Sequence, residues 1–111
     1  MERCELLCLD LEAAEEVRGA LDRERTAALA AIAKIVSDPT RLLVMQALAQ
    51  RELCGCDLGW VTEQSEKVVS HHLSRLRREG LVTSRREGKT VVASLTGRGR
   101  ELVSMIEAVA A

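Results

Sequence analysis

Aromatic residues are nearly missing: the chain has no Phe, no Tyr and a single Trp, Trp60, in 111 residues. Its interior must therefore be built from Leu, Val, Ile and Ala, a palette that favours packed helices over a β-sandwich. No apolar run approaches the ~20 residues of a membrane span, so no membrane partner is expected. Met1-Glu2-Arg3-Cys4 does not lead into the apolar run of a secretory leader, because Asp10 and Glu12 follow at once; a cytoplasmic location is expected. The chain offers no nucleophile–base–acid set, no phosphate-binding loop and no His-Glu cluster, which argues against an enzyme. A Cys-x-x-Cys beside a βαβ pattern, the mark of a thiol oxidoreductase, is also absent.

What is present fits one domain at most. At 47% hydrophobic residues the chain is not disordered. A lone domain of this size has a modest core, and a dimer would enlarge it. The net charge of −1 conceals an asymmetry. Residues 65–100 hold nine Lys/Arg against three acids, whereas residues 1–64 hold seven against twelve. A basic segment on a nearly neutral protein points to a polyanion-binding face; the plainer alternative is a solvated helix surface.

The four cysteines fall in two pairs: Cys4 and Cys8 near the start, and Cys54 and Cys56 in Glu52-Leu53-Cys54-Gly55-Cys56-Asp57-Leu58. In a reducing compartment such pairs more often bind metal or sense redox state than form structural disulfides. Thiolates are soft donors that favour Cd²⁺, Pb²⁺, Zn²⁺ or As(III); four make a tetrahedral site for Cd²⁺ or Zn²⁺, and three suit Pb²⁺ or As(III). Cys-x-Cys is tighter than the usual structural-zinc spacing, so a zinc ribbon is not expected. Glu52 and Asp57 add negative field, which attracts a cation and raises the thiol pKa. The plainer alternatives are an inert buried pair at 54 and 56, and a tail with incidental cysteines at 4 and 8.

Periodicity organises the rest. Residues 1–10 read as an arm. Leu11 to Leu21 is a short amphipathic helix with Leu11, Ala14, Val17 and Leu21 on one side, weakened at Gly19 by about 1 kcal/mol. Thr26 to Val36 is an alanine-rich helix, either core or a dimer surface. Asp38-Pro39 starts a helix to about Gln50, with Leu42, Leu43, Met45 and Leu48 expected inside. Leu53 to Glu63 carries the thiols and a short helix that Asp57 can cap, with Leu58 and Val61 facing the core; Trp60 is either core filler, the preferred reading, or an exposed contact. Ser65 caps a helix to Glu79, with Val68, Val69, His72, Leu73 and Leu76 as its buried stripe and Gly80 as its stop. Leu81–Arg86 and Thr90–Leu95 form a hairpin with a basic tip. Thr96 caps a last helix to about Ala110, whose Leu102, Val103, Ile106 and Val109 suit a partner's helix or the chain's own core. The expected fold is mainly α with one β-hairpin: a winged helix-turn-helix in the order α-α-α-α-α-β-β-α, dimeric.

Three stretches carry a family likeness: Ser37-Asp38-Pro39-Thr40-Arg41-Leu42, the Cys-x-Cys stretch, and Val69-Ser70-His71-His72-Leu73 through Leu76 with Gly80-Leu81-Val82. Over roughly residues 27–95 the chain resembles the ArsR/SmtB family of winged-helix metal-sensing repressors. The N-terminal Cys4-Glu5-Leu6-Leu7-Cys8-Leu9-Asp10 is most similar to the CadC-like, cadmium/lead/zinc-responsive branch. The resemblance implies a homodimer joined through its first and last helices. It further implies a metal-binding arm (residues 1–10) on a DNA-binding and dimerisation domain (residues 11–111), with Cys4, Cys8, Cys54 and Cys56 as metal ligands. It departs from that branch at Leu95-Thr96-Gly97-Arg98-Gly99-Arg100, which lacks the Asp-x-His of an interfacial zinc site, so no such site is expected. Gly55 between the thiols is a second departure.

The Ser65–Glu79 helix would enter the major groove of double-stranded operator DNA. Lys67, Ser70, His71 and Ser74 are expected to read bases, and Arg75, Arg77, Arg78, Arg85, Arg86 and Lys89 to meet phosphates. His71 and His72 point about 100° apart and do not chelate together; His72 belongs to the core. The reading that follows is a repressor that binds DNA without metal and releases it when the thiols take a soft cation. An arsenic(III) sensor and a thiol redox switch on the same fold are its rivals.

Overall fold

A computed structural model describes residues 10–111; Cys4 and Cys8 lie outside the described residues. The chain divides into two units, Met1–Ala33 and Lys34–Ala111.

In the first unit, α1 (Leu11–Ala20) starts at Asp10, whose carboxylate accepts the Ala13 N–H at 3.0 Å. The second helix, α2 (Arg23–Ile35), begins three residues before the expected Thr26. Its start is set by Asp22, whose Oδ1 accepts the Arg25 N–H. No residue of α1 is buried, so its apolar stripe, Leu11 and Val17 included, is exposed in the single chain.

The second unit opens where α2 ends, with Ile35 in the core. Asp38 caps α3 (Pro39–Gln50), accepting the Arg41 N–H at 3.1 Å. Met45 and Leu48 are inside as expected, but Leu43 is exposed and Val44 takes its place. Next come β1 (Leu53–Cys54), α4 (Gly55–Thr62), α5 (Glu66–Arg78), the hairpin β2 (Val82–Glu87) and β3 (Thr90–Leu95), and α6 (Gly97–Ala110). Ser65 and Thr96 cap α5 and α6 through their hydroxyls. Gly80 and Gly88 take positive φ, closing α5 and turning the hairpin.

The antiparallel sheet has the order β1-β3-β2. The two-residue strand β1 is an addition to the expected hairpin: Leu53 pairs with Ala93 and Cys54 with Val92. The core between helices and hairpin is formed by Ile35, Val44, Met45, Leu48, Leu58, Val69, Leu73, Leu76, Leu81, Val82, Ala93, Leu95 and Val103.

Besides Leu43, three expected core positions are not core. Trp60 is 86% exposed, and Val61 and Val68 are also exposed. Leu58, Gly59 and Thr62 already fill the inner side of α4, with the Thr62 hydroxyl bonded to the Leu58 carbonyl. At 100° per residue, position 60 is turned about 200° from Leu58 and so faces solvent.

Candidate metal centre and nucleic-acid interface

Cys54 closes β1 and is the N-cap of α4; Cys56 follows in its first turn. Backbone pairing to β3 fixes the first thiol, and the helix start fixes the second. Asp57 does not cap α4, because the cap position belongs to Cys54, which makes no side-chain cap bond. Instead the Asp57 carboxylate accepts the Cys54 thiol at 3.2 Å. Cys54 is half-buried and Cys56 exposed, and neither forms a disulfide among the described residues. Glu66, from the next helix, pushes the Cys56 thiol up through hydrogen bonding and charge; desolvation, Cys54 and Asp57 add to it. A cation that replaces the thiol proton therefore meets a field that favours it. Soft, free donors with carboxylates behind them fit a thiophilic ion, although no cluster of three or more ligands occurs among the described residues.

The two thiols line a depression of 380 Å³ together with Glu66 and Ser70 of α5 and Lys89 at the hairpin tip. Cys56 also joins Trp60 in lining a second depression, of 800 Å³. The thiols, at the start of the helix before the turn, thus share a depression with the helix after it and the wing.

Along α5, Val69, His72, Leu73 and Leu76 are buried, which leaves Lys67, Ser70, His71, Ser74, Arg77 and Arg78 exposed and Arg75 half-buried. Arg77 donates to Ser84 Oγ on the wing at 3.1 Å. His72 lies inside, its Nδ1 accepting from Arg41 Nε at 3.3 Å. Burial holds its pKa below the ordinary value; Asp38 opposes this, and Arg41 and His71 add to it.

On the wing, Arg86 and Lys89 are exposed and have no ion pair among the described residues. Arg85 is different. Its guanidinium donates to both oxygens of Glu52, at 2.7 and 2.9 Å, and to Glu87. These contacts and the Ser94 hydroxyl hold the Glu52 carboxyl down at about 2.

A helix pair with a polar, basic second helix, followed by a basic hairpin, is the geometry of a DNA-reading winged helix. The family model for bacterial regulatory proteins of the arsR family matches residues 38–84. The cadmium resistance transcriptional regulatory protein CadC of Listeria innocua is 34% identical over 91 residues, spanning 81% of this chain and 76% of that one. The chain belongs to the arsR family. The transcriptional repressor SmtB homolog of Synechocystis is 38% identical over 96 residues, 86% of this chain and 73% of its own. Among solved structures, the homodimeric winged helix-turn-helix DNA-binding domain from Mycobacterium bovis superposes with a TM-score of 0.68 at 26% identity, covering 82% of this chain and 88% of that one. As an arsR-family member the protein is a winged-helix transcriptional regulator, not an enzyme.

Sequence reasoning missed two partners in this arsR-family site. Glu66 is ten residues from Cys56, and only the α4–α5 turn brings them together. Glu52 reaches Arg85 across 33 residues, and only the sheet register reveals it.

Proposed function

We propose that this regulator is a homodimeric repressor that binds operator DNA in the absence of metal. It is released when a soft cation, Cd²⁺, Pb²⁺ or Zn²⁺, is taken up by Cys4, Cys8, Cys54 and Cys56. One observation carries the reading: Cys54 and Cys56 line the same depression as Ser70 of the reading helix and Lys89 of the wing. A ligand on the thiols therefore acts directly on the DNA-facing elements. The name of the cadmium-resistance relative supports the same effector class, and that of the SmtB-type relative supports a repressor.

The bound ion supplies positive charge in exchange for thiol protons, and the carboxylates of Asp57 and Glu66 favour that exchange. Lys67, Ser70, His71 and Ser74 meet base edges, and Arg75, Arg77, Arg78, Arg86 and Lys89 meet phosphates; Arg85, expected to join them, is instead held by Glu52 and Glu87. A second copy covers the apolar groove of Leu102, Met105, Ile106 and Val109 on α6. Two reading helices then face a roughly palindromic site. A coupling of about 1–3 kcal/mol between ion and DNA corresponds to about 5–150-fold weaker binding.

The test is a Cd²⁺ titration of the reduced protein, followed by thiolate-to-metal absorption and by operator release. Cys54→Ser is expected to abolish release, and Cys4→Ser/Cys8→Ser to weaken the band. Release that persists in Cys54→Ser overturns the proposal. Release by arsenite alone, or by oxidant without metal, replaces it with one of the two rival sensors.

A further inference from the structure

Cys54, Val92 and Arg85 lie abreast on the three strands: Cys54 pairs with Val92 on one side of β3, and Arg85 pairs with the same Val92 on the other. The thiol strand is only two residues long, so its backbone alone gives it a weak hold on the wing. The residue before it supplies the rest. Glu52 reaches over β3, accepts the Ser94 hydroxyl at 2.6 Å, and grips Arg85 of the outer strand with both carboxylate oxygens. Glu87 holds the same guanidinium from the hairpin end. A fork-to-fork pair fixes orientation as well as distance, which a single contact does not.

Resting on the thiol-site reading above, we infer that Glu52 is a positioning residue that ties the thiol strand to the wing, so that a shift of Cys54 on ion binding is transmitted to Arg85 and the β2–β3 hairpin. Glu52 ligates nothing and touches no DNA in this role. It converts a local change at β1 into a change in where the wing presents Arg86 and Lys89.

The experiment measures operator affinity with and without Cd²⁺ for the wild type, Glu52→Gln, Arg85→Gln and the double variant, with thiolate-to-metal absorption recorded in parallel. The readout is the ratio of the two affinities, in which any change of basal affinity cancels. Glu52→Gln is expected to keep the full absorption band and lose about three- to fivefold of the ratio, the scale of one well-formed partly exposed pair. Arg85→Gln is expected to lose as much, and the double variant no more than either, because both remove one link. A full ratio in Glu52→Gln with an intact band overturns the inference, as do strictly additive losses. A wild type that shows no band or no release overturns the thiol-site reading instead.

Discussion

At position 99 there is no room for a side chain. A β-carbon there would run into the Leu81 carbonyl oxygen and lie 3.0 Å from Leu95 Cδ2. This glycine lets the first turn of α6 close against the hairpin, and Gly99→Ala is expected to destabilise the fold by about 1–3 kcal/mol. Gly55, between the thiols, is the opposite case: a β-carbon would meet nothing within 4 Å, and its φ is not positive. Gly55→Ala is expected to gain about 0.4–1 kcal/mol by restricting the unfolded chain. Urea midpoints that move together in the two variants would refute the packing account. Trp60→Ala is expected to stay within about 0.5 kcal/mol of the parent, as for other exposed side chains.

Among the elements, α5 carries the most telling chemistry. His72 is buried, with its Nδ1 accepting from Arg41, and its folded pKa lies below 6.5. Asp38 next to it is also lowered, first by the Arg41 N–H. For a histidine kept neutral, the unfolded chain takes up the proton first. Its share of stability is therefore complete above about pH 6.5 and lost as pH falls below it. Asp38 contributes a further loss only below about pH 3.8. The urea midpoint is expected to drop between pH 7.5 and 5, a window above the ordinary carboxylate range. Replacing His72 with Gln, which still accepts from Arg41, is expected to flatten the drop; an unchanged slope would count against it. Helix starts are readable from the chain because caps are local: Asp38, Ser65 and Thr96 each act within three residues. The faces of α4 are harder to read, since in eight residues the small Gly59 and the polar Thr62 hold the inner side while Trp60 and Val61 look apolar. The strand β1 is not readable at all. Two residues have no period, and their partners are about forty positions away. For the same reason the four cysteines are visible in the sequence as soft donors, but the Glu66 and Glu52 contacts are not.

For the molecule as a whole, seven of the nine basic residues in 65–100 stand on one reading helix and one wing, and Arg98 and Arg100 on α6, so operator binding is expected to weaken steeply with salt. Lys89→Gln is expected to lower the slope of log affinity against log salt by about 0.9. Arg85→Gln is expected to leave it nearly unchanged, because that charge is already shared with Glu52 and Glu87. Equal slopes for both variants would contradict this sorting. On α6, the parent is expected to sediment as a dimer and Met105→Glu as a monomer, with operator binding weakened in parallel.

The exposed indole beside Cys56 has one more consequence. It is the sole fluorophore of a chain without Tyr, and it shares a wall with one of the thiols. Its emission is expected to be red-shifted like that of free indole, and to be quenched by Cd²⁺ with the same stoichiometry as thiolate uptake. The regulator would then report its own occupancy in the light it emits, without any added dye.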